Sequence, residues 1–219
     1  MTEDEARTWL RSSLNVSRET EERLQAFAAF LRAEMAAQNL IAASTADSLW
    51  ARHIVDSAQL LLLAPSDSSG QWIDLGSGAG FPGIVVALCS DWRVTLVESR
   101  AKRIDYLSRA VELLGLQGQI TIEGKPLERV ETAPFSVISA RAFAPLPRLF
   151  VLASRFSTAK TCWLLPKGRN AAKELEEVRP LWQSDFHIVP SITDDEAGIL
   201  TGHLRGKTVA SAPKPGKRQ

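Results

Sequence analysis

The 219-residue chain has only two cysteines and no long apolar run, and both shortages narrow the classes of protein that fit it. Apolar stretches such as residues 60–64 are far shorter than the roughly 20 residues of a membrane-spanning helix. The chain begins with acidic residues, whereas a secretory signal peptide has basic and apolar regions. Cys89 and Cys162 lie in apolar stretches without metal-ligand spacing, so we expect two reduced thiols and no metal site. We therefore expect a cytoplasmic protein that has no membrane segment.

Charge is distributed unevenly along the chain, although the formal net charge is only +1. Residues 1–70 carry 6 basic and 10 acidic side chains, whereas residues 141–219 carry 13 basic and 7 acidic ones. A basic carboxy-terminal third is consistent with contacts to phosphate groups, and an ordinary solvated surface would have the same composition. Hydrophobic residues make up 45% of the chain, which is enough for the core of one globular domain.

Two helices are predicted before the first strand. Leu24, Phe27, Leu31 and Met35 recur at helical spacing and predict a helix over residues 19–38. A second helix is expected over residues 47–63. Its start can be capped by Ser44 or Thr45, and Pro65 follows its end.

A regular alternation of strands and helices follows the helical region. The strands read as continuous apolar runs, which is typical of a parallel sheet buried on both faces. They are predicted at residues 71–75, 93–97, 119–122, 135–139 and 161–165, with weaker strands at 186–189 and 200–204, and with a helix at 101–114. We predict an α/β, doubly wound, mostly parallel seven-stranded sheet over residues 69–208. Residues 1–68 would form a helical extension packed on it, and residues 209–219 a disordered basic tail.

The strongest motif is the glycine-rich loop of residues 74–83, which leaves the first strand and opens a helix. Gly78, Gly80 and Gly83 satisfy the G-x-G-x-x-G dinucleotide pattern, which is weak by itself. Asp74 precedes Gly76 and Gly78, and its carboxylate would repel a pyrophosphate. S-adenosylmethionine carries an ammonium, from which the Asp74 carboxylate can accept a hydrogen bond, and a sulfonium, and it has no phosphate. The loop therefore favours it over NAD, with Asp74, Gly76 and Gly78 as candidate cofactor contacts. A turn that binds no ligand is the third interpretation.

Acidic and apolar residues after the next two strands fit a nucleoside. Glu98 ends the second strand and can accept hydrogen bonds from the hydroxyls of a ribose in either cofactor. Leu127 and Glu128 follow the third strand, where an adenine would lie. A strand-end acid that is merely solvated is the alternative for Glu98.

The segment after the fourth strand restricts the chemistry of methyl transfer. Cys162 lies inside an apolar strand, so we assign it to the core rather than to attack on a pyrimidine carbon. The loop after Ser139 lacks the Asn/Asp-Pro-Pro-aromatic sequence used on exocyclic amines, and Arg141 stands there instead. Guanine N7 has a free lone pair and no proton to lose, so it needs no general base. Arg141 is a candidate for the O6 edge of guanine, a phosphate or the cofactor pocket, or for a pair with Asp74 or Glu98.

The ordered set of motifs resembles the bacterial 16S rRNA guanine-N7 methyltransferases, also called glucose-inhibited division protein B. The resemblance runs from about residue 24 to residue 207. It is carried by residues 74–83, 139–146 and 166–168 and, most distinctively, by Arg-His-Ile-x-Asp-Ser at residues 52–57. It implies a class I S-adenosylmethionine-dependent, Rossmann-like fold. It also implies a 7-methylguanosine product in the 530 loop of 16S rRNA, and cofactor contacts at Gly76, Phe81, Leu127, Glu128 and Arg141.

The expected partner is 16S rRNA or the 30S subunit, with no stable protein partner. His53, Asp56 and Ser57 would share one helix face bordering the cofactor or the RNA. The candidate RNA contacts are His53, Arg100, Lys102, Arg103, Arg148, Lys167 and Arg169. No side chain is assigned as catalytic, because placing the nucleophile in line with the methyl group is the main task. A methyltransferase acting on another RNA or a small molecule, or more remotely an NAD-dependent oxidoreductase, remains an alternative.

Overall fold

The computed structural model describes residues 1–208, and its centre is a seven-stranded sheet. The strands are β1 (Gln71–Leu75), β2 (Arg93–Val97), β3 (Ile120–Glu123), β4 (Val137–Ala140), β5 (Cys162–Lys167), β6 (Trp182–Ser184), β7 (His187–Pro190), β8 (Gly198–Gly202) and β9 (Leu204–Lys207). The order in the large sheet is β3-β2-β1-β4-β5-β8-β7. The first five of these are parallel, and β8 runs antiparallel to both β5 and β7. The predicted mostly parallel seven-stranded sheet is therefore confirmed.

Helices cover both faces of this sheet. They are α1 (Glu3–Leu14), α2 (Arg18–Glu34), α3 (Asp56–Ala58), α4 (Gly83–Cys89), α5 (Ala101–Leu113), α6 (Leu146–Ala153) and α7 (Ala171–Val178). Alternate side chains of β1 face opposite cores: Trp72 packs with α2, α4 and α5, while Ile73 and Leu75 pack with α6 and α7. Because both faces are covered, the parallel strands are nearly all apolar.

Residues 1–68 pack directly on the sheet's helical layer. Leu24, Phe27 and Leu31 of α2 are fully buried in the core that also contains Trp72. The division of the chain into this extension and a main domain stays a prediction. The expected disordered tail lies outside the described residues. Every helix within residues 1–208 is too short or too polar to cross a lipid bilayer.

The prediction of one α-helix over residues 47–63 is wrong, because several short helical segments of different types form there. The chain there forms a 3-10 turn (Ala43–Ser48), a π-helix (Trp50–Val55), α3 and a second 3-10 turn (Gln59–Leu62). Neither predicted cap, Ser44 or Thr45, starts a continuous α-helix. A π-helix inserts a residue into the normal hydrogen-bond ladder and re-aims the side chains that follow, and it is frequent at functional sites.

Other differences lie at the two ends of the chain. The sequence did not predict α1, which begins with a capping box between Thr2 and Glu5. Strands β6 and β9 pair with each other in a separate two-stranded sheet. The two weak strands predicted near the end correspond to β7 and β8, which complete the large sheet.

Candidate cofactor and substrate site

Three neighbouring cavities open at the carboxyl ends of the parallel strands. The strand order reverses between β1 and β4, and open α/β sheets bind ligands at such a switch point. The glycine cavity, of about 450 Å³, is lined by the glycine loop and by residues from Leu40 to His53. The acid cavity, of about 210 Å³, lies beside Glu98 and Leu127. The ion-pair cavity, of about 550 Å³, lies beyond β4 and β5. Ala142 lines all three cavities.

The glycine loop turns sharply away from β1 and presents backbone to the cavity. Gly76 and Gly78 have φ of +71° and +54°, a region that residues with a Cβ rarely adopt. The N–H groups of Gly76 and Ser77 both donate to the carbonyl of Val97, at 2.9 and 3.0 Å. A Cβ on Gly78 would make only ordinary van der Waals contacts, 3.5 Å from Nη1 of Arg103 and 3.7 Å from the carbonyl oxygen of Gly76.

Asp74 lies behind this loop rather than in the cavity. Its side chain is fully buried and is absent from the lining of all three cavities. One carboxylate oxygen accepts from Ser139 Oγ at 2.8 Å, and the other accepts from the N–H of Gly83 at 3.2 Å. Burial raises the pKa of Asp74 to about 6, against the lowering effect of these hydrogen bonds. The expected direct contact with a ligand ammonium is therefore corrected: Asp74 ties the loop to β4 from inside the protein.

Glu98 holds the turn after β2 and faces the acid cavity. Its Oε1 accepts from the N–H groups of Ser99 and Arg100 at 2.8 and 2.9 Å. Its Oε2 accepts from the N–H of Gly78 at 3.2 Å and lies 3.8 Å from Nη1 of Arg103. The carboxylate thus joins the β2 turn to the glycine loop and lines the acid cavity, and its hydrogen bonds to a ribose stay a prediction.

The 3-10 turn after β3 places its two predicted residues differently. Leu127 is buried and lines the acid cavity, as expected for an apolar wall beside a base. Glu128 is exposed and does not line that cavity, where Lys125 appears instead. Among the described residues, Leu127 therefore lies at this cavity and Glu128 does not, and a contact of Leu127 with the cofactor stays a prediction.

Arg141 stands between the glycine cavity and the ion-pair cavity and lines both. Its Nη2 donates to Nδ1 of His53 at 2.7 Å, and its Nη1 lies 3.2 Å from Oδ2 of Asp56. The guanidinium carbon is 5.9 Å from the ring centre of Phe81, which lines the glycine cavity. The sequence alternative that paired Arg141 with Asp74 or Glu98 is wrong, because the ion-pair partner is Asp56.

His53 is buried and has one defined tautomer. Arginine can only donate, so Nδ1 of His53 is an acceptor and Nε2 carries the proton. Nε2 lies 2.8 Å from the hydroxyl of Thr45, which in turn donates to the carbonyl of Ala42 at 2.8 Å. Burial first, and then the charges of Arg141 and Arg52, lower the pKa of His53 to about 3. The imidazole is therefore neutral at physiological pH.

Three ion pairs line the ion-pair cavity. Arg52 contacts Asp194 at 2.6 Å, Arg141 contacts Asp56 at 3.2 Å, and Lys167 contacts Glu174 at 2.8 Å. The hydrogen bond from Arg52 lowers the pKa of Asp194. Each cation that lines this cavity thus has a carboxylate neighbour, and the groups come from four separate parts of the chain.

The candidate RNA contacts fall into two groups. His53 and Lys167 are directed inward: both ring nitrogens of His53 are paired, and Lys167 Nζ also donates to the carbonyl of Ala144. Neither is available as a free surface cation. The others remain at or near the surface: Arg100 and Arg103 line the glycine and acid cavities, Lys102 and Arg148 are exposed on α5 and α6, and Arg169 is exposed beside Glu196.

A family model described as GidB, rRNA small subunit methyltransferase G, matches residues 20–198. The chain belongs to this family. The protein named ribosomal RNA small subunit methyltransferase G from Rhizorhabdus wittichii is 57% identical, with 91% of this chain and 92% of that protein covered. The protein of the same name from Zymomonas mobilis is 51% identical, with 98% and 100% covered.

Solved structures show the same fold at low sequence identity. An RNA methyltransferase from Salinibacter ruber in complex with S-adenosyl-L-homocysteine aligns with a TM-score of 0.55 and 16% identity, covering 71% of this chain and 94% of that one. A putative S-adenosylmethionine-dependent methyltransferase from Methanococcus maripaludis aligns with a TM-score of 0.56 and 15% identity, covering 72% and 88%. Both the class I methyltransferase fold and S-adenosylmethionine as the cofactor of this family member are confirmed.

The glycine and acid cavities fit this cofactor. The glycine cavity lies within the 300–1,000 Å³ typical of cofactor sites, and the acid cavity adjoins it at Gly76. Gly76 and Gly78 line the glycine cavity and have no side chain, so a ligand there can approach the backbone closely. An acid, an apolar wall and a backbone turn are the groups that a nucleoside with an amino-acid tail requires. Within residues 1–208, no group of three or more His, Cys, Asp or Glu side chains is placed to hold a metal.

Several residues that line the ion-pair cavity are not predicted from the sequence. The sequence indicates Thr45 only as a possible helix cap, whereas its hydroxyl accepts from Nε2 of His53. No sequence pattern marks Asp194 or Glu174, although each forms one of the ion pairs. Arg52 and Asp194 are 142 positions apart, and no local pattern connects them.

Proposed function

We propose that this family member uses S-adenosylmethionine to methylate N7 of a guanine in the 530 loop of bacterial 16S rRNA. The observation that carries the proposal is the ion-pair cavity, which adjoins the cofactor site and contains paired ionisable groups. Asp56, Asp194 and Glu174 each lie beside a cation. His53, which lines the same cavity, has both ring nitrogens engaged.

This pairing bears on the choice of nucleophile. A nucleophile that must lose a proton needs an acceptor within hydrogen-bond reach, with a lone pair to spare. Among the described residues that line the cavity, each carboxylate is engaged by a cation and the one imidazole is a donor at its second nitrogen. Guanine N7 has a lone pair and no proton, so it reacts without a base. A site that positions its substrate and pairs each lining carboxylate with a cation suits this atom.

The chain's own residues bind and orient the two reactants. When bound, the cofactor supplies an electrophilic methyl group on its sulfonium. The backbone at Gly76 and Gly78, the carboxylate of Glu98 and the side chain of Leu127 would hold the nucleoside part in the glycine and acid cavities. Arg141 lies where these cavities meet the ion-pair cavity, so it would orient the end nearest the substrate. Holding the two partners in line is the main catalytic contribution.

The surroundings of the cavities suit a nucleic-acid substrate of the cytoplasm. Arg100, Arg148 and Arg169 are exposed: Arg100 lines the glycine cavity, and Arg169 and Arg148 follow Gly168 and Pro145 of the ion-pair cavity by one and three residues. Such cations contact phosphates and make affinity dependent on salt. An rRNA segment, either free or within the 30S subunit, fits this arrangement better than a small neutral molecule, for which surface cations would do nothing.

The direct test compares rRNA nucleosides from cells with and without this protein by mass spectrometry. We expect 7-methylguanosine to be lost from one position of the 530 loop when the protein is absent and to return when it is restored. Purified protein with labelled S-adenosylmethionine should also label undermethylated 30S subunits or naked rRNA, and the comparison between them identifies the better substrate.

Other outcomes would redirect the proposal. Label on a different RNA position would keep the methyltransferase and replace the target. Label on a small molecule, with rRNA unchanged and with no loss of activity between 50 and 200 mM salt, would replace RNA as the substrate class. RNA binding through several phosphates weakens by orders of magnitude over that range.

A further inference from the structure

The boundary between the glycine cavity and the ion-pair cavity is formed by a small group of side chains. Thr45, His53, Arg141 and Ala142 line both cavities. Under the proposed function, on which the following inference rests, this boundary lies where the two reactants meet. The shape of this boundary therefore depends on the orientation of the Arg141 guanidinium.

Asp56 supplies charge to Arg141 and does not set its direction. Nη1 of Arg141 is buried and lies 3.2 Å from Asp56 Oδ2, but the contact lacks hydrogen-bond geometry and Nη1 has no hydrogen-bond partner in the described structure. Asp56 Oδ1 is engaged elsewhere, by the hydroxyl of Thr193 at 2.8 Å and the amide of Gln59 at 3.0 Å. The carboxylate balances the guanidinium charge without orienting it.

His53 provides the oriented contact. Among the described residues it accepts the one hydrogen bond that the Arg141 guanidinium donates, at 2.7 Å. Its ring cannot rotate freely, because Nε2 is held by Thr45 and the ring packs 5.1 Å from the ring centre of Phe81. Thr45 is itself held by the carbonyl of Ala42. The chain from Ala42 to Arg141 has a single consistent direction of donation, so the lone pair of Nδ1 always faces Arg141.

The π-helix explains why the imidazole reaches this place. His53 lies within the π-helix Trp50–Val55, and Ser57 closes the turn by donating to the carbonyl of His53 at 2.6 Å. The wider π turn brings His53 and Asp56 to the same guanidinium, one through a hydrogen bond and one through charge. π-Helical turns of this kind are frequent at functional sites.

We propose that His53 is a positioning residue, whose imidazole, fixed in one tautomer by Thr45, orients the Arg141 guanidinium at the boundary between the cofactor and the substrate cavities. In this role His53 acts on the reactants through Arg141. Nδ1 of His53 offers Arg141 an acceptor that is neutral and rigid. A carboxylate at this place would add a second negative charge beside Asp56.

The test uses three substitutions that separate the two ring nitrogens. The side-chain oxygen of His53→Asn lies near the position of Nδ1 and can still accept from Arg141. The amide of His53→Gln lies near Nε2 and can still contact Thr45. His53→Leu preserves bulk and loses both contacts. The affinity for S-adenosylhomocysteine, measured by calorimetry, is the first readout because it needs no RNA substrate.

We expect His53→Leu and His53→Gln to weaken S-adenosylhomocysteine binding about tenfold, in line with the loss of a hydrogen bond to a charged group. His53→Asn should recover most of that loss. With rRNA as substrate, the Leu and Gln variants should also lower kcat. Thermal unfolding of each variant verifies that the comparison is made between folded proteins.

A double-substitution cycle shows whether the effect passes through Arg141. In an Arg141→Met background, His53→Leu should add less than about twofold to the loss of affinity. The proposal is overturned if the Asn and Leu variants lose affinity equally, if none of the three loses affinity, or if the losses from His53 and Arg141 simply multiply. A protein that binds S-adenosylhomocysteine as expected but labels no rRNA would overturn the proposed substrate and leave the role of His53 standing.

Discussion

The ring of Phe143 lies directly against the Cα of Gly76. A Cβ placed on Gly76 would lie 2.4 Å from Cδ2 of that ring, well inside the closest distance that a real Cβ contact allows. Phe143 follows Ala142, whose φ of +52° is unusual for a residue with a side chain. Phe143 lines both the acid cavity and the ion-pair cavity, so this contact joins the glycine loop to the segment that carries Arg141.

Gly76→Ala should therefore impair the site by two effects that can be separated. A positive φ costs a non-glycine residue about 1–2 kcal/mol, and the clash with Phe143 adds to that cost. We expect at least a tenfold loss of S-adenosylhomocysteine affinity by calorimetry. Gly115→Ala is the matched control, because Gly115 has a φ of +63° and a Cβ added there would have no atom within 4 Å. It should lose about 1 kcal/mol of unfolding free energy and retain its affinity. Equal losses of affinity would show that the contact with Phe143 is unimportant.

The buried carboxyl of Asp74 should make stability depend on pH in an unusual direction. Because the pKa is raised from 3.8 to about 6, the folded state binds the proton more tightly than the unfolded state. The contribution of this carboxyl to the free energy of unfolding is therefore fully present below pH 3.8 and is lost as pH rises through 6. The difference between the two pKa values corresponds to on the order of 3 kcal/mol.

Asp74→Asn removes this dependence and preserves the size of the side chain. The amide oxygen can accept from the N–H of Gly83, and the amide nitrogen can donate to Ser139 Oγ, which reverses the direction of that hydrogen bond. Urea unfolding should show that the advantage of the Asn variant over the wild type grows between about pH 4 and pH 6.5. Asp74→Ala should lose stability at every pH and weaken cofactor binding, since it leaves the N–H of Gly83 without its partner. A constant difference between wild type and Asp74→Asn over this range would contradict the assignment.

Glu3 of α1 caps the start of the π-helix from another part of the chain. Its two carboxylate oxygens accept from the N–H groups of Trp50 and Ala51, at 3.2 and 3.1 Å. We expect Glu3→Ala to lower the free energy of unfolding by about 1–2 kcal/mol, the typical value of such a cap. It should also weaken S-adenosylhomocysteine binding a few-fold, because His53 lies in that π-helix. Asp4→Ala is the control: Asp4 is in the same first turn and is exposed. Similar losses in both variants would mean that only the charge at the start of α1 matters.

Exposed cations and paired cations near the site should behave differently towards RNA. Arg148 is exposed on α6, and Arg148→Ala should weaken RNA binding and reduce the salt slope by about 1, with cofactor affinity unchanged. Arg18→Ala is a matched control at the start of α2, and it should leave the salt slope unchanged because no residue of α2 lines any of the three cavities, whereas Pro145 at the start of α6 lines the ion-pair cavity. An unchanged salt slope for Arg148→Ala would remove it from the RNA surface.

Lys167 is the contrasting case. Its ammonium is mostly buried between Glu174 and the carbonyl of Ala144. Lys167→Met should mainly lower the free energy of unfolding, by about 1–3 kcal/mol, since it leaves the partly buried Glu174 without its cation. The salt slope of RNA binding should stay near that of the wild type. A fall in slope of about 1 with unchanged stability would return Lys167 to the predicted RNA contacts.

Strands β1 and β2 were predicted to the residue, and the reason is physical. A parallel strand buried on both faces is mostly apolar, so Val94, Leu96 and Val97 stand out between Arg93 and Glu98. The glycine loop was equally visible, because a turn with positive φ that approaches a ligand restricts the residue type at each position. Family membership followed from the order of these motifs, which the comparisons confirmed.

The helix types of residues 43–62 could not be predicted from the sequence. Their apolar spacing is compatible with an α-helix, and only contacts with other parts of the chain select the 3-10 and π turns that form. The cap from Glu3 and the pairs made by Arg52 and Asp56 are all long-range. The direction of the Asp74 carboxylate could not be predicted either. Its spacing from Gly76 and Gly78 is the same whether the side chain faces the cavity or the core.

The amino-acid sequence by itself determined the class of fold, the position of the cofactor loop and the acid that follows it. These depend on local patterns of hydrophobicity, glycine and charge. The tertiary structure alone decided which groups surround Arg141, that His53 is a neutral acceptor, and that Lys167 is paired inward. The physical reason is that burial and charge pairing depend on distances between residues far apart in the chain, and those distances exist only after the sheet and its helices have packed.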